Sequence, residues 1–128
     1  MTDKTTQTFG DYLRDLRVQR DISMRTLAKE LNMDVGNLSK IENGKMKPPM
    51  KERFIEDISD ILKLSKDEKE KLIDISSHES GEYPRDIKEM LKEHSYIPVL
   101  LRTISNKKLS DEEIRKLIKR LNKKQTDN

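Results

Sequence analysis

The stretch that decides the fold runs from Ile22 to Lys47: ISMRTLAKELNMDVGNLSKIENGKMK. Apolar residues recur in it at helical spacing in two short runs, at Leu27, Ala28, Leu31, Leu38 and Ile41. Ser23 and Asp34 precede these runs and are residue types that cap helix N-termini, while Asn32 and Gly44 follow them and favour helix ends. The stretch therefore predicts a short helix, a tight turn and a second short helix.

The helical pattern continues on both sides of this stretch. A first helix is predicted from about Thr8 to Arg20, and a fourth follows Pro48 and Pro49. Ser65 and Glu68 have the spacing of a capping box that opens a fifth helix. The predicted inward residues of these helices are Phe9, Leu13, Leu16, Phe54, Ile55, Ile58, Ile61, Leu62, Leu72, Ile73 and Ile75. Five helices over residues 1–77 predict one all-α domain.

The amino-acid composition limits the classes of protein to which the chain can belong. Hydrophobic residues make up 32% of the 128 residues and charged residues 40%, which favours amphipathic helices over a fully buried sheet. The chain has no Cys, which excludes disulfides and thiolate metal sites. A net charge of +3 is compatible with nucleic-acid binding but is weak evidence for it. Without a signal peptide or an apolar span, we expect a cytoplasmic, nucleoid-associated protein and no membrane partner.

Three groups of residues carry a resemblance to a known family: Leu27-Ala28, Leu38 to Glu42, and Asn43-Gly44-Lys45. With them the chain resembles the lambda-repressor-like (Xre/Cro-type) helix-turn-helix regulators, over about Phe9 to Ser76. The resemblance implies a five-helix DNA-binding domain followed by a small C-terminal helical module. One position departs from the family: many members have a phosphate-binding Gln where this chain has Met24.

The resemblance places the helix that begins near Asp34 in the DNA major groove, with its first two turns at the base edges. The expected base contacts are Val35, Gly36, Asn37 and Lys40. Asn37 can bind adenine through two hydrogen bonds, Lys40 can donate to guanine, and Val35 can pack on a thymine methyl. Gly36 has no side chain and would allow close approach. The alternative for Asn37 and Lys40 is that they are merely exposed, solvated residues of a surface helix.

The same resemblance implies contacts to the DNA backbone and an internal ion pair. Lys45 and Lys47 are expected to bind phosphates, and Arg25 a phosphate or a flanking base. Main-chain N–H groups of Asn43 and Gly44 are expected to donate to a phosphate. Arg17 and Glu42 match an ion pair that ties the first helix to the end of the recognition helix.

The second half of the chain predicts a helical module over residues 84–121 and a flexible tail over 122–128. The polar segment from His78 to Pro84 is predicted to be a connection. Beyond it, a sixth helix bears Ile87, Met90 and Leu91, and an apolar patch runs from Tyr96 to Leu101. Ser110 and Glu113 form a second capping-box pattern that opens a last helix. The expected dimerisation residues are Leu100, Leu101, Ile114, Leu117, Ile118 and Leu121.

The partner that buries these residues is either the fifth helix of the same chain or a second subunit, and we favour the subunit because one module makes few base contacts. We expect a dimeric repressor of a phage, mobile element or stress operon that binds double-stranded DNA at an inverted repeat. The alternative is an antitoxin that represses its own operon and masks a toxin through its C-terminal module. The family resemblance, rather than any residue of the chain, adds an antirepressor or an ImmA/IrrE-type metallopeptidase as a further expected partner.

An enzyme is not expected. His78 and His94 lack metal-ligand spacing, and the acidic clusters fall in first turns of helices, where they favour the helix dipole. The sequence has no glycine-rich phosphate loop and no nucleophile motif. A hydrolase or nuclease would need a metal-dependent site, and we expect neither a metal nor a cofactor.

Overall fold

The computed structural model describes residues 7–49 and 52–126, and in these ranges the chain forms eight α-helices and no strand. They are α1 (Phe9–Gln19), α2 (Met24–Glu30), α3 (Val35–Glu42), α4 (Glu52–Leu62), α5 (Lys66–Ser80), α6 (Arg85–Glu93), α7 (Ile97–Asn106) and α8 (Asp111–Thr126). The prediction of an all-helical protein is confirmed. The expected start of α4 directly after Pro49 falls on residues 50 and 51, which lie outside the described residues.

Side-chain caps set where the helices begin. The side chains of Ser23 and Asp34 accept hydrogen bonds from the backbone N–H groups of Thr26 and Asn37, at 3.1 and 3.2 Å. Each cap satisfies a donor that the first turn of a helix leaves without an intrahelical partner. The predicted capping boxes also form: Ser65 and Ser110 each exchange two hydrogen bonds with the glutamate three residues later.

The turn between α2 and α3 is closed by backbone hydrogen bonds. Asn32 lies in the left-handed region with a φ of 61°, as expected for a residue that ends a helix. The N–H of Met33 donates to the carbonyl of Ala28 at 2.9 Å, and that of Asn32 donates to Lys29 at 3.0 Å. This pair of bonds reverses the chain at the end of α2, so α3 can begin at Val35, two residues after Met33.

The core of the first five helices holds α3 against α1 and α2. Its fully or almost fully buried residues are Phe9, Tyr12, Leu13, Leu16, Leu27, Ala28, Leu38, Ile41, Ile58, Leu62 and Leu72. α1 also packs on α5, and α4 packs on α5. Half-buried Met24 and Met33 pack against this core, so Met24 fills space at the start of α2. Burial of about 1.5–3 kcal/mol per large apolar side chain is the main term that holds α3 in place.

α1 and α3 approach each other closely at Gly10, a contact that the sequence analysis did not anticipate. A Cβ at Gly10 would lie 2.5 Å from the carbonyl oxygen of Glu42 and closer still to that of Ile41. Backbone atoms of a packed helix cannot move aside easily, so any side chain at this position would destabilise the packing of α1 on α3.

The chain divides into two units, one through Pro84 and the other from Arg85. In the second unit, none of the residues from 85 to 123 is buried. Two helix ends lie beyond their predicted positions, and one helix had not been predicted. α5 continues through Ser80, past the predicted end at residue 77. The patch from Tyr96 forms a helix, α7, and Pro98 is compatible with it because proline is tolerated in a first turn. α8 extends through Thr126, so the predicted tail is helical over residues 122–126, while 127 and 128 lie outside the described residues.

Across the ranges that the structure describes, no helix combines the length and the apolar character needed to cross a membrane.

Candidate nucleic-acid interface

The orientation of α3 follows from which of its residues are buried. Leu38 is 0% exposed and Ile41 1%, so this side of the helix faces the core. Helical geometry then directs the first two turns of the opposite side to solvent. The four predicted base-contact residues lie there and are all exposed: Val35, Gly36, Asn37 and Lys40. The structure thus brings together an apolar side chain, an amide and an ammonium group on one accessible surface.

Gly36 lies next to the carboxylate that caps α3. A Cβ at this position would lie 2.8 Å from Oδ2 of Asp34, the same oxygen that accepts the hydrogen bond from the N–H of Asn37. A larger residue would crowd the carboxylate that caps α3. The sequence analysis expected only that Gly36 allows close approach to a ligand.

Glu42 anchors the C-terminal end of α3. Its side chain is 0% exposed and its two oxygens accept hydrogen bonds from Nε and Nη2 of Arg17 at 2.7 and 2.9 Å. Arg17 is 12% exposed and also donates from Nη1 to the carbonyl of Ile22 at 3.0 Å. The hydrogen bond to Glu42 raises the pKa of the Arg17 guanidinium. Arg17 and Glu42, which the sequence analysis expected to form an ion pair, are joined by two hydrogen bonds that connect α1 to α3.

A second arginine reaches the same end of α3 and was missed by the sequence analysis. Nη2 of Arg14 donates to Oδ1 of Asn43 at 2.9 Å and to the carbonyl of Glu42 at 3.4 Å. Its Nε lies 3.6 Å from Oε1 of Glu42. A cation near the last carbonyls of a helix also complements the helix dipole. The signal in the sequence was a basic residue one turn before Arg17, which does not distinguish it from a solvated arginine.

The main-chain N–H groups of Asn43 and Gly44, which were expected to donate to a phosphate, form hydrogen bonds within the chain. The N–H of Asn43 donates to the carbonyl of Ser39 at 3.0 Å, and that of Gly44 donates to Ile41 at 3.1 Å. Gly44 adopts a φ of 77° and ends α3 in the left-handed conformation. Both N–H groups therefore help to close the helix, and their contact with a phosphate stays a prediction.

The three basic residues expected at the DNA backbone are all exposed. Arg25 lies in the first turn of α2, and Lys45 and Lys47 lie on the chain that follows α3. The Lys45 N–H donates to the carbonyl of Lys40 at 2.8 Å, which fixes the backbone of the loop next to the recognition helix. Their ammonium and guanidinium groups remain available to an anion.

Arg20 fixes the end of α1 in a way that the sequence did not reveal. Its Nε donates to the carbonyl of Leu62 and its Nη2 to Oε1 of Glu68, each at 2.6 Å. The backbone N–H of Ser65 has the largest effect in lowering the pKa of the Glu68 carboxyl, and the Arg20 guanidinium lowers it further. This arrangement connects α1, the end of α4 and the start of α5.

The residues expected at a dimer interface lie in the second unit. Leu100, Leu101, Leu117, Ile118 and Leu121 are exposed, with exposed fractions from 37% to 65%, and Ile114 is half-buried. These six residues, called the apolar face below, are divided between α7 and α8. Single exposed apolar residues are common on proteins, whereas a contiguous apolar patch is typical of an interaction surface.

A short helix, a tight turn and a second helix with an exposed polar side define the helix-turn-helix class of DNA-binding proteins. Residues 8–72, just over half of the chain, match the family described as "Helix-turn-helix domain". The chain belongs to this family, as predicted, and is a DNA-binding transcriptional regulator. The chain is also similar to a chain in the solved SinR protein/SinI protein complex, with a TM-score of 0.47 and 19% identity over 93% of this chain and 99% of that chain. No curated protein matches the sequence.

Proposed function

We propose that this protein is a dimeric transcriptional repressor that recognises an inverted-repeat operator through α3. The observation that carries the proposal is the exposed side of α3. It presents Val35, Gly36, Asn37 and Lys40 to solvent, while burial of the other side holds the helix in place. A rigid helix that presents hydrogen-bonding groups in its first two turns fits the major groove.

Each exposed side chain of α3 has a base edge that its chemistry fits. The Asn37 amide both donates and accepts, so it can form two hydrogen bonds with adenine. The Lys40 ammonium can donate to O6 and N7 of guanine. Val35 can contact the methyl group of thymine. Gly36 has no Cβ, which leaves the backbone of α3 close to the floor of the groove.

Sequence-independent affinity is assigned to the basic residues beside α3. Lys45 and Lys47 follow the recognition helix, and Arg25 lies on the helix before it. Such contacts set the register of a protein on DNA without selecting a sequence. Since the N–H groups of Asn43 and Gly44 are engaged within the chain, the side chains of the two lysines carry this role.

The dimer is supported by the apolar face of the second unit. A second copy of the chain would cover these residues, which a monomer leaves in contact with water. A two-fold dimer would present two recognition helices about 34 Å apart, one turn of B-DNA, or a multiple of that distance. The operator is then an inverted repeat, and occupation of a promoter by the dimer would exclude RNA polymerase.

The same apolar face supports a second candidate function, in which a different protein covers it. The chain would then be an antitoxin that binds a toxin, or a repressor released by an antirepressor or a protease. We favour the second copy of the chain. One helix-turn-helix module makes too few base contacts for tight specificity, whereas a dimer adds the binding energies of two half-sites.

Sedimentation of the purified chain tests the dimer. The full chain should sediment as a dimer, Leu117→Asp should sediment as a monomer, and Lys116→Asp should keep the dimer because Lys116 lies on the opposite side of α8. A truncation after Pro84 should also be monomeric. A dimeric Leu117→Asp variant or a dimeric truncation would contradict the assigned interface, and a full chain that is monomeric alone would favour the toxin-binding or other heterologous partner.

Selection of bound sequences from random DNA tests the operator. The proposal predicts an inverted repeat for the full chain. Enrichment of single half-sites, or of no sequence, would contradict a dimeric sequence-specific repressor.

A further inference from the structure

Charge is distributed unevenly between the two units. Residues 1–84 contain 15 Lys and Arg against 17 Asp and Glu, a net charge of −2, whereas residues 85–128 contain 12 against 7, a net charge of +5. The unit that carries the recognition helix is therefore weakly acidic as a whole. The positive charge of this DNA-binding protein comes from the other unit.

Most of that excess lies on α8. Acidic residues are confined to its first turn, at positions 111–113, and from residue 114 through Thr126 the helix has six basic residues and no acidic one. The basic residues whose side chains the structure describes are all exposed: Arg115, Lys116, Lys119, Arg120 and Lys123. Helical spacing places them on the side of α8 opposite Ile114, Leu117, Ile118 and Leu121. These five residues are called the basic face below.

A solvated helix surface ordinarily mixes the two signs of charge, as α5 does with the sequence KDEKEK at positions 66–71. The basic face does not. Arg115 pairs with Glu112 at 3.3 Å, and because both side chains are exposed this ion pair contributes little. The single-sign surface therefore keeps its positive potential and attracts a polyanion.

We propose that the basic face of α8 is a second, sequence-independent contact to the phosphates of the DNA that α3 recognises. DNA is the favoured polyanion because the chain is a DNA-binding regulator whose helix-turn-helix unit carries a net charge of −2. Each phosphate neutralised by a basic side chain releases condensed counterions. Through this counterion release the basic face adds to the affinity for DNA. The apolar residues on the opposite side of α8 remain free to pair two copies of the chain. The inference rests on the proposed function.

The test is the salt dependence of DNA affinity for the full chain with three charges of the basic face removed. In the variant Lys116→Gln, Lys119→Gln, Arg120→Gln the substituted residues keep good helix propensity. The slope of log K against log salt should fall by at least about two units, and affinity at 0.1 M salt should fall on the order of 100-fold. The losses should be equal on operator and random DNA. Arg120→Gln alone should lower the slope by about one unit per bound copy.

The matched control removes three exposed lysines from the first unit: Lys63→Gln, Lys66→Gln, Lys71→Gln. It changes net charge by the same amount and should leave the slope nearly unchanged. An unchanged slope in the α8 variants, or an equal fall in the control, overturns the proposal. So does binding of the wild-type chain to phosphatidylserine/phosphatidylcholine vesicles that the α8 variant loses while its DNA slope stays the same. Failure here is distinct from failure of the proposed function, because the preference for operator over random DNA is assigned to α3 and is measured in the same titrations.

Discussion

Replacement of Glu42 by glutamine should destabilise the helix-turn-helix unit strongly, because it breaks an ion pair that is shielded from water. Glu42 is 0% exposed and Arg17 12%, and two hydrogen bonds of 2.7 and 2.9 Å join them. A glutamine has the same shape, but its NH₂ group would face a donor of Arg17 or Arg14. Loss of one partner of a buried pair costs about 3–5 kcal/mol, because the other charge stays buried without compensation.

That cost is large beside the total stability of about 5–15 kcal/mol that is usual for a domain. In a unit of this size each 1 kcal/mol lowers Tm by roughly 4–8 °C, so Glu42→Gln should lower Tm by about 12 °C or more. Urea unfolding followed by circular dichroism measures the effect, with the midpoint shifted and the m-value unchanged. The matched control is Glu112→Gln, which removes the exposed partner of Arg115 and should cost less than about 0.5 kcal/mol.

A double-mutant cycle separates the ion pair from its surroundings. Arg17→Met combined with Glu42→Gln should cost clearly less than the two single substitutions added together, since no unpaired charge remains. If Glu42→Gln costs no more than Glu112→Gln, or if the two single effects simply add, then the pair does not hold α1 to α3 and the reasoning is wrong.

Three further predictions concern single positions. Gly10→Ala should lower the free energy of unfolding by about 1–3 kcal/mol because its Cβ meets the carbonyls of α3; a thermal melt within 1 °C of wild type would contradict the close approach. Glu68, whose carboxyl has a lowered pKa in the folded chain, should contribute stability above its unfolded value of about 4.5 and lose it as pH falls through the lower folded value. The stability gap between wild type and Glu68→Gln should therefore close in acid, and a gap that does not change with pH would refute the prediction. Lys45→Ala and Lys47→Ala should each weaken all DNA sequences alike and lower the salt slope by about one unit per bound copy; unchanged slopes in both would remove these lysines from the interface.

Local signals in the sequence predicted the first five helices well. Ser23, Asp34 and Ser65 are caps whose function depends only on the next three residues, so sequence spacing is sufficient to find them. The apolar spacing of Leu38 and Ile41 likewise determined which side of α3 is exposed.

Features that depend on contacts distant in sequence could not be predicted in this way. The close approach at Gly10 depends on residues more than thirty positions away, and Arg14 and Arg20 differ from solvated arginines only through partners on other helices. The segment from Tyr96 to Leu101 was predicted only as an apolar patch, and the structure shows that it begins a helix, α7, with Pro98 in its first turn. α5 is longer than its apolar pattern predicted. The helix ends at Gly81, which has a φ of 78°, and not at the point where the apolar spacing is lost.

The measurement that tests the central claim most directly is the affinity of Asn37→Ala and Lys40→Gln for the selected operator and for a scrambled sequence of equal length. Both positions are exposed, so the folded state should be unaffected, and a melting curve checks this. The account predicts that each variant loses about 1–3 kcal/mol on the operator and far less on the scrambled DNA, so that the preference for the operator falls. Equal losses on the two DNAs would show that α3 does not carry base recognition, and would contradict the account.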